Sequence, residues 1–544
     1  MTSAVMPPKA TAEIARWTPT QELSEQEQQI VKRMSRNGKL FAFLRLNRHK
    51  LMDEAFQTEL ASMYRQTGAG KMAIAPGLMA MAILIQGYMG VSDATMIELT
   101  VFDLRVQMVL GRLGHSEPAF SQGALYEFRQ RLIHNQMDRR LLEKTVEAAR
   151  GQQEFGERKL KELLRVAIDS KPLEGAGRVE DTINLVGHAA RKVMMCVAKL
   201  LGCSKQQVYR EAGIPLLLEK SVKKGLDVDW SEAGQKKKAL QTLLKQVEGM
   251  LSWLKKNLPE EMEEEPLKQH IQTLEQIRKQ DLEPDPEGGG VRVRQQVAEE
   301  RRVSVEDGEM RHGRKSKSKR FNGFKQHVAT ALDEELILAC AVTPANRPEA
   351  EATPALEKDM EKQGVKIREL HIDRGYINSS VVGNVLEEGG EVLSKPWKAS
   401  NGGLFMKSEF KLDMRSRTIT CPAGRTMRFE LGRKVEFEAK DCEVCPLRVK
   451  CTQSQAGQGR TVAISEHEEL QHKLRKLMKT PAGRERLRKR VGVEHRQAHL
   501  ARRQGRRARY RGVRKNVFDL RRAASIQNLE TWQRRLELFP TQVG

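Results

Sequence analysis

Apolar positions along the chain keep a helical period first, turn to strand-like runs, and return to a helical period at the end. Over 40–149 they recur at helical spacing with few β-branched runs and few Gly or Pro breaks. Within that stretch Glu117-Pro118-Ala119-Phe120 reads as a turn and Ser121 as a helix cap. The helix that follows would set Leu125, Phe128 and Leu132 on one face and leave Gln122, Tyr126, Arg129 and Arg131 outward. A helix-turn-helix with this as recognition helix fits the pattern, and so does an ordinary amphipathic helix of an α-bundle. Residues 163–168 form a short apolar run, read as a buried strand ending at Asp169. Over 182–282 the helical period returns. There Leu240, Leu244, Val247, Leu251, Leu254 and Leu258 alternate spacings of four and three, a seam that suits an internal helical hairpin or a dimer contact.

The run Glu283-Pro-Asp-Pro-Glu-Gly-Gly-Gly290 is a linker by composition. Beyond it, 327–332 and 336–342 flank Asp333-Glu334-Glu335 as a β-hairpin. A helix over 348–363 leads into a strand that ends at Asp373, followed by a helix over 381–388 and a strand over 391–393. Strand, hairpin, helix, strand, helix is a mixed α/β sheet. It resembles the RNase H-like fold, with a helical insertion between the first strand and the hairpin.

Composition sharpens this. The chain has 544 residues, too many for one ordinary core. Its 95 Lys and Arg outnumber 71 Asp and Glu, a net charge of +24 that points to a polyanionic partner, nucleic acid or an anionic membrane surface. Only 5% of residues are aromatic, which argues against a single-strand binder built on stacking. The uncharged stretch 72–92 is long enough to span a bilayer. Pro76-Gly77 and Gln86-Gly87 interrupt it, and Ala and Met dilute it, so a buried core helix is expected and no membrane. Residues 1–22 lack a charged start followed by a continuous apolar run, so reduced cysteines in a cytoplasm are expected.

Three carboxylates carry the candidate chemistry. Asp169 and Asp373 end apolar strands, where open α/β sheets bind ligands, although a turn-capping aspartate looks the same in sequence. Glu494 follows Leu487 and Val491 and precedes Ala498 at spacings of four, three and four, which would turn its carboxylate with the apolar face toward the sheet. A carboxylate there must be ion-paired, hydrogen-bonded or metal-bound. Three carboxylates on separate elements suit a pair of divalent cations in phosphodiester chemistry. Separately, Cys421-x20-Cys442-x2-Cys445-x5-Cys451 has the spacing of a tetrahedral zinc site, with 417–420 and 434–438 as strands of a hairpin across the long gap. Four thiolates would leave no open position, so such a zinc is structural; unmetallated thiols are the alternative. The run 502–515 places Arg502, Arg503, Arg506, Arg507 and Arg509 among eight cations in fourteen residues. A second run holds Lys315, Lys317 and Lys319, read as a flexible loop entering the hairpin. Such density binds phosphate without sequence preference.

In this order Asp169, Asp373 and Glu494 resemble the Asp-Asp-Glu triad of bacterial insertion-sequence transposases. Supporting stretches are Phe321-Asn-Gly-Phe-Lys-Gln-His327, Val342-Thr-Pro-Ala-Asn346, His371-Ile-Asp-Arg-Gly-Tyr376 and Tyr510-Arg-Gly. Cys-Pro-Ala-Gly at 421–424 with Cys442-x2-Cys445-Pro is similar to a branch carrying a four-cysteine insertion before the glutamate. Relatives often carry Tyr, Arg and Lys around that glutamate; here those positions are Leu487, Arg490 and Ala501, so only the arginine matches, with Arg502 and Arg503 beside the third. The resemblance implies a homodimer that binds double-stranded DNA at the element's terminal inverted repeats, cleaves it and joins the 3′ ends to target DNA. It also implies two Mg2+ or Mn2+ ions on the triad and a cytoplasmic, nucleoid-associated location in a bacterium. The implied organisation is a polar lead (1–35), a helical DNA-binding domain (36–150), an RNase H-like core (160–180 and 291–397), a helical insertion and linker (181–290), a cysteine-rich module (398–465), and the glutamate helix with a basic C-terminal region (466–544). Arg129, Arg131, Lys315, Lys317, Lys319, Arg490, Arg502, Arg503, Arg506, Arg507 and Arg509 are the candidate DNA contacts. A non-catalytic DNA-binding protein derived from a transposase and a metal-dependent nuclease that cuts without joining are the competing readings.

Overall fold

The computed structural model describes residues 14–538 apart from 36–37, 65–72, 153–162, 287, 289, 317 and 398–400, so Lys317 lies outside the described residues. A six-stranded mixed sheet is formed by β1 (Leu164–Glu174), β2 (Arg311–Arg314), β3 (Arg320–Ala331), β4 (Leu336–Pro344), β5 (Ile367–His371) and β6 (Glu391–Leu393). The strand β3 pairs antiparallel with β1 on one side and with β4 and the short β2 on the other. On the far side of β1, β5 runs parallel to it and β6 parallel to β5. The expected hairpin is β3–β4, and the expected basic loop is the β2–β3 turn. Where β3 crosses the end of β1, a Cβ on Gly323 (φ +152°) would lie 2.2 Å from the Leu173 carbonyl oxygen, so that close approach requires glycine.

Side chains alternate across a strand, and here both faces are covered. Val166, Ile168, Ala329, Leu338 and Leu370 join one core with the N-terminal helices α1 (Lys39–Leu51), α2 (Pro76–Met89), α3 (Gln122–His134) and α4 (Met137–Arg150). Ala167, Leu173, Phe324, Val328 and Ile337 point to the opposite core. The N-terminal helices therefore share their core with the sheet. Helix α2 is the buried core helix expected of 72–92. It passes at 106° into the helix Asp93–Phe102, and among the described residues no single helix is long and apolar enough to cross a membrane.

The insertion after β1 contains α5 (Thr182–Leu200), α6 (Ala233–Asn257) and α7 (Leu267–Asp281) around a core of their own. The leucine seam of α6 lies inside that core, with Leu251 at its margin. Helices α8 (Thr353–Lys362) and α9 (Ser380–Glu387) lie between β4 and β6 in the chain and pack into the first core. The cysteine-rich stretch has a small core under Phe410, Ile419, Phe429 and Phe437. Its strand pairing differs from expectation: Thr418–Thr420 pairs with Thr426–Arg428 and Lys411–Asp413, while Lys434–Glu436 pairs with Thr461–Ala463. The turn Cys421-Pro-Ala-Gly is tight enough to close a hairpin with the next strand, so the long gap between cysteines holds two sheets. The chain ends in α10 (Glu468–Lys479), a short helix Pro481–Arg488, α11 (Val491–Gln504) and the long α12 (Val513–Leu538). Thr480 caps Pro481–Arg488, its hydroxyl accepting from the Gly483 amide at 3.0 Å.

Candidate active site and cysteine module

Asp169 stands in the middle of β1, and the expected strand end there is displaced to Glu174 because 170–174 continue to pair with β3. It shares parity with Ala167, so it faces the core side covered by Val493 and Leu500 of α11. Ala167 is level with His371 in the parallel register, which carries Asp169 and Asp373 to the same height two residues further on. Asp373 opens the turn Arg374–Tyr376 just past β5. That turn is clamped from below. The Tyr376 hydroxyl and His327 Nδ1 are 2.7 Å apart, and His327 Nε2 lies 2.9 Å from the Thr343 hydroxyl. Burial, then the neighbouring Lys325, pushes the His327 imidazole down to about 3, so the ring is neutral at ordinary pH.

Glu494 departs from expectation. Gly492 and Val493 bond back three residues, to Lys489 and Arg490, and the chain breaks between the helix Pro481–Arg488 and α11. Leu487 and Glu494 therefore belong to different helices, and the apolar spacing across them is not one face. The buried face of α11 is Val493, Gln497, Leu500 and Gln504. The Glu494 side chain beside it is 52% exposed and holds Arg490 at 2.9 Å. It nevertheless lines one cleft with Asp169, Asp373, Arg490 and Gln497.

Arg490 stands among the acids: Nη1 lies 3.2 Å from Asp169 Oδ1 without hydrogen-bond geometry, while Nη2 serves Glu494. Burial pushes the Asp169 carboxyl up to about 6, opposed by Arg490 and the Ser170 amide and reinforced by Asp373 and Glu494. The cleft also holds Ser170, Lys171, Arg314, Lys315, Lys325 and Glu349, and Ser170 Oγ donates to Glu349. Arg314 and Lys315 belong to the basic run that stands out in the sequence, whereas Ser170, Lys171, Lys325 and Glu349 do not. Lys325 was visible within Phe-Lys-Gln-His, whereas Glu349 sits in a helix start that no spacing distinguishes from a surface acid.

The basic candidates divide. Arg129 is a correction: it is 6% exposed, and Nη1 donates to Asp93 Oδ2 at 3.1 Å. Its position one residue past Phe128 turns it into the bundle, where Asp93 and Gln86 accept from its two terminal nitrogens. Arg131 is half-buried over the Tyr64 ring. Arg503 pairs with Glu530 at 2.6 Å over the Tyr88 ring, so it too holds the fold. Arg507 is exposed yet donates to the Gly175 and Ala176 carbonyls. Lys315, Lys319, Arg502, Arg506 and Arg509 are exposed. Burial and then the neighbouring Lys315 and Arg506 hold the Lys171 ammonium below its ordinary range, and Lys171 and Lys315 both line the cleft.

In the cysteine module, Cys421, Cys442, Cys445 and Cys451 border one pocket. Cys421 Sγ accepts from the Arg425 amide at 3.3 Å and Cys442 Sγ from the Arg460 amide at 3.5 Å. Burial pushes the Cys451 thiol up, and the other three cysteines add to the rise. Among the described residues, no group of three or more His, Cys, Asp or Glu side chains is arranged to hold a metal ion, in this pocket or in the carboxylate cleft. The donor chemistry does fit: three carboxylates share one cleft around a guanidinium, and four thiols share another with amide donors already supporting two sulfurs.

Residues 420–532 match the family model described as Transposase DDE domain. Residues 26–131 match the one described as Transposase domain (DUF772). The two matches indicate a transposase of the DDE type, and the first indicates an enzyme of nuclease or transferase class. Glu494 lies within the first matched stretch, whereas Asp169 and Asp373 fall outside both. No curated protein and no solved structure matches the chain.

Proposed function

We propose that this chain is a DNA transposase in which Asp169, Asp373 and Glu494 form the catalytic triad. The observation that carries this is their convergence: two neighbouring strands and a helix more than a hundred residues downstream deliver three carboxylates to one cleft rimmed by Lys171, Arg314 and Lys315. A protein that only bound DNA would gain nothing from acids placed where phosphate must lie. The strand order β4-β3-β1-β5-β6, with β1 antiparallel to β3 and parallel to β5, supports an RNase H-like core.

Asp169, Asp373 and Glu494 would hold two Mg2+ or Mn2+ ions, which when bound activate the attacking oxygen and stabilise the leaving one. The water oxygen bonds to phosphorus as the bond from phosphorus to the 3′ oxygen breaks, and the freed 3′ hydroxyl then attacks a target phosphodiester in the same way. Lys315 and Lys171 hold the phosphate at the mouth of the cleft. The His327–Tyr376 clamp fixes the Asp373 turn, and Arg490, which now spans Asp169 and Glu494, is free to take a DNA phosphate once cations replace it. Cys421, Cys442, Cys445 and Cys451 would hold one structural Zn2+. The protein would act on terminal inverted repeats and target DNA as a homodimer, in the cytoplasm of a bacterium and on its nucleoid.

The test is a donor plasmid in which the gene's own flanking ends bracket a marker, with wild type or Asp169→Asn supplied in trans. Movement of the marker with wild type alone supports a transposase with Asp169 in its chemistry. Binding to the ends without movement by either protein favours the non-catalytic binder. Asp373→Ala should abolish strand cleavage while leaving DNA binding intact; retained cleavage removes Asp373 from the site.

A further inference from the structure

A second basic groove lies outside the carboxylate cleft, between α10 and the strand Lys411–Asp413 of the cysteine module. Lys407, Lys411, Arg475, Lys476 and Lys479 line it, with a single carboxylate, Glu468. Glu468 is 2% exposed and already engaged by Lys407 and, at 3.5 Å, by Arg475. Lys411, Lys476 and Lys479 are exposed and, among the described residues, make no ion pair. Three ammonium groups without counterions facing one groove repel each other, and a polyanion relieves that repulsion.

The groove is joined to the candidate active site through the backbone. Pro396 lines its end. The Pro396 carbonyl accepts from Arg374 Nε at 2.7 Å, and Arg374 is the residue after Asp373. Gln471 of α10 in turn accepts from the Trp397 amide at 2.9 Å. A duplex seated with a phosphate over Asp373 thus has this groove as its neighbouring support. Along α10, residues 472–479 advance about 10 Å at the helical rise of about 1.5 Å per residue. Along the axis of a duplex that length spans roughly three nucleotides of one strand, at a rise near 3.4 Å each.

The geometry points to this groove as a binding surface for the sugar–phosphate backbone of duplex DNA flanking the cleavage point. The inference rests on the transposase reading and deepens it: the cysteine module would serve as a DNA-facing wall, its fold presenting Lys411 opposite α10. Lys411, Lys476 and Lys479 contact phosphates and carry no base specificity.

The experiment uses the full chain and a labelled duplex carrying one end of the element. Affinity is measured against salt for wild type and for the triple variant Lys411→Gln, Lys476→Gln, Lys479→Gln. The slope of log affinity against log salt should fall by about 2 to 3 in the variant, near 0.9 for each phosphate contact removed. In parallel, acetic anhydride labelling of wild type should show these three lysines protected by the duplex, a readout that does not depend on the variant folding. An unchanged slope with equal lysine labelling overturns the groove while leaving the transposase reading standing. Protection by an acidic polypeptide but not by duplex DNA overturns it in favour of a protein partner. Failure of wild type to bind the duplex at all would remove the reading on which the groove rests.

Discussion

Asp169 sits under opposing pressures, and the outcome sets a pH dependence. Water has been stripped from its carboxyl and two further acids face it, while Arg490 offsets only part of the cost. The folded value of about 6 lies above the ordinary 3.8. Folding therefore favours the protonated form: its contribution is full below pH 4 and is lost as pH rises through 6. The difference corresponds to at most about 3 kcal/mol, at 1.36 kcal/mol per pKa unit. In EDTA, Asp169→Asn should melt at a higher temperature than wild type at pH 8 and at nearly the same temperature at pH 4. Coincident melts at both values would mean that Arg490 already neutralises the ionised group. At this scale each aspartate stands out in sequence as an acid closing an apolar run, although the strand holding Asp169 runs on to Glu174. Glu494 was legible as a residue but not in its orientation. Gly492, two residues past the break at Lys489–Arg490, is the one local sign of it, and an apolar spacing that straddles two helices looks continuous.

Among the elements, α12 is the one whose role the sequence concealed. It appears as part of a basic tail, yet Phe518, Leu520, Ala524, Leu529 and Trp532 are buried and it packs on both β4 and α4. Its polar positions are buried too, so no apolar stripe emerges. Arg521 is 8% exposed and donates to Asp138 at 3.1 Å and to Asp359 at 2.7 Å. Asn528 closes the open edge of the sheet: its Oδ1 accepts from the Ile337 amide at 2.8 Å and its Nδ2 donates to the Ile337 carbonyl at 2.9 Å. Edge strands carry unpaired backbone groups, and this side chain pairs two of them away from water. Asn528→Ala should cost about 2–6 kcal/mol in urea unfolding, because both groups of Ile337 are left buried without partners at about 1–3 kcal/mol each. A loss under 0.5 kcal/mol would mean that the edge finds water. The cysteine module makes a separate element-scale claim. Cys442→Ser with Cys445→Ser should lower bound zinc and the melting temperature, and unchanged metal content in the purified protein would refute the site. The β3–β4 hairpin and the helices after it were legible because their apolar runs are short and bounded by turns. The pairing inside the module was not, because strands of three residues carry too little pattern to choose partners.

For the whole molecule, the 95 Lys and Arg side chains do not all play one role. Some hold helices together against carboxylates: Arg129 with Asp93, Arg503 with Glu530, Arg514 and Arg521 with Asp138. Another part stays exposed: Lys315, which lines the cleft, and Lys319, Arg506 and Arg509. A guanidinium already paired with a carboxylate releases no counterion from DNA, so the exposed, unpaired cations and not the paired ones should contribute to the salt dependence of binding. Replacing Lys315, Lys319, Arg506 and Arg509 by Ala should lower the slope of log affinity against log salt by about 3 to 4, at roughly 0.9 per phosphate contact, with little change in melting temperature. Arg129→Ala should do the reverse, leaving the slope in place while the melting temperature falls, since Asp93 would keep a half-buried charge without its partner. A measured slope that tracks Arg129 and ignores the four exposed residues would place the DNA on the helical bundle and away from the carboxylate cleft, and the proposed active site would then have no route to its substrate.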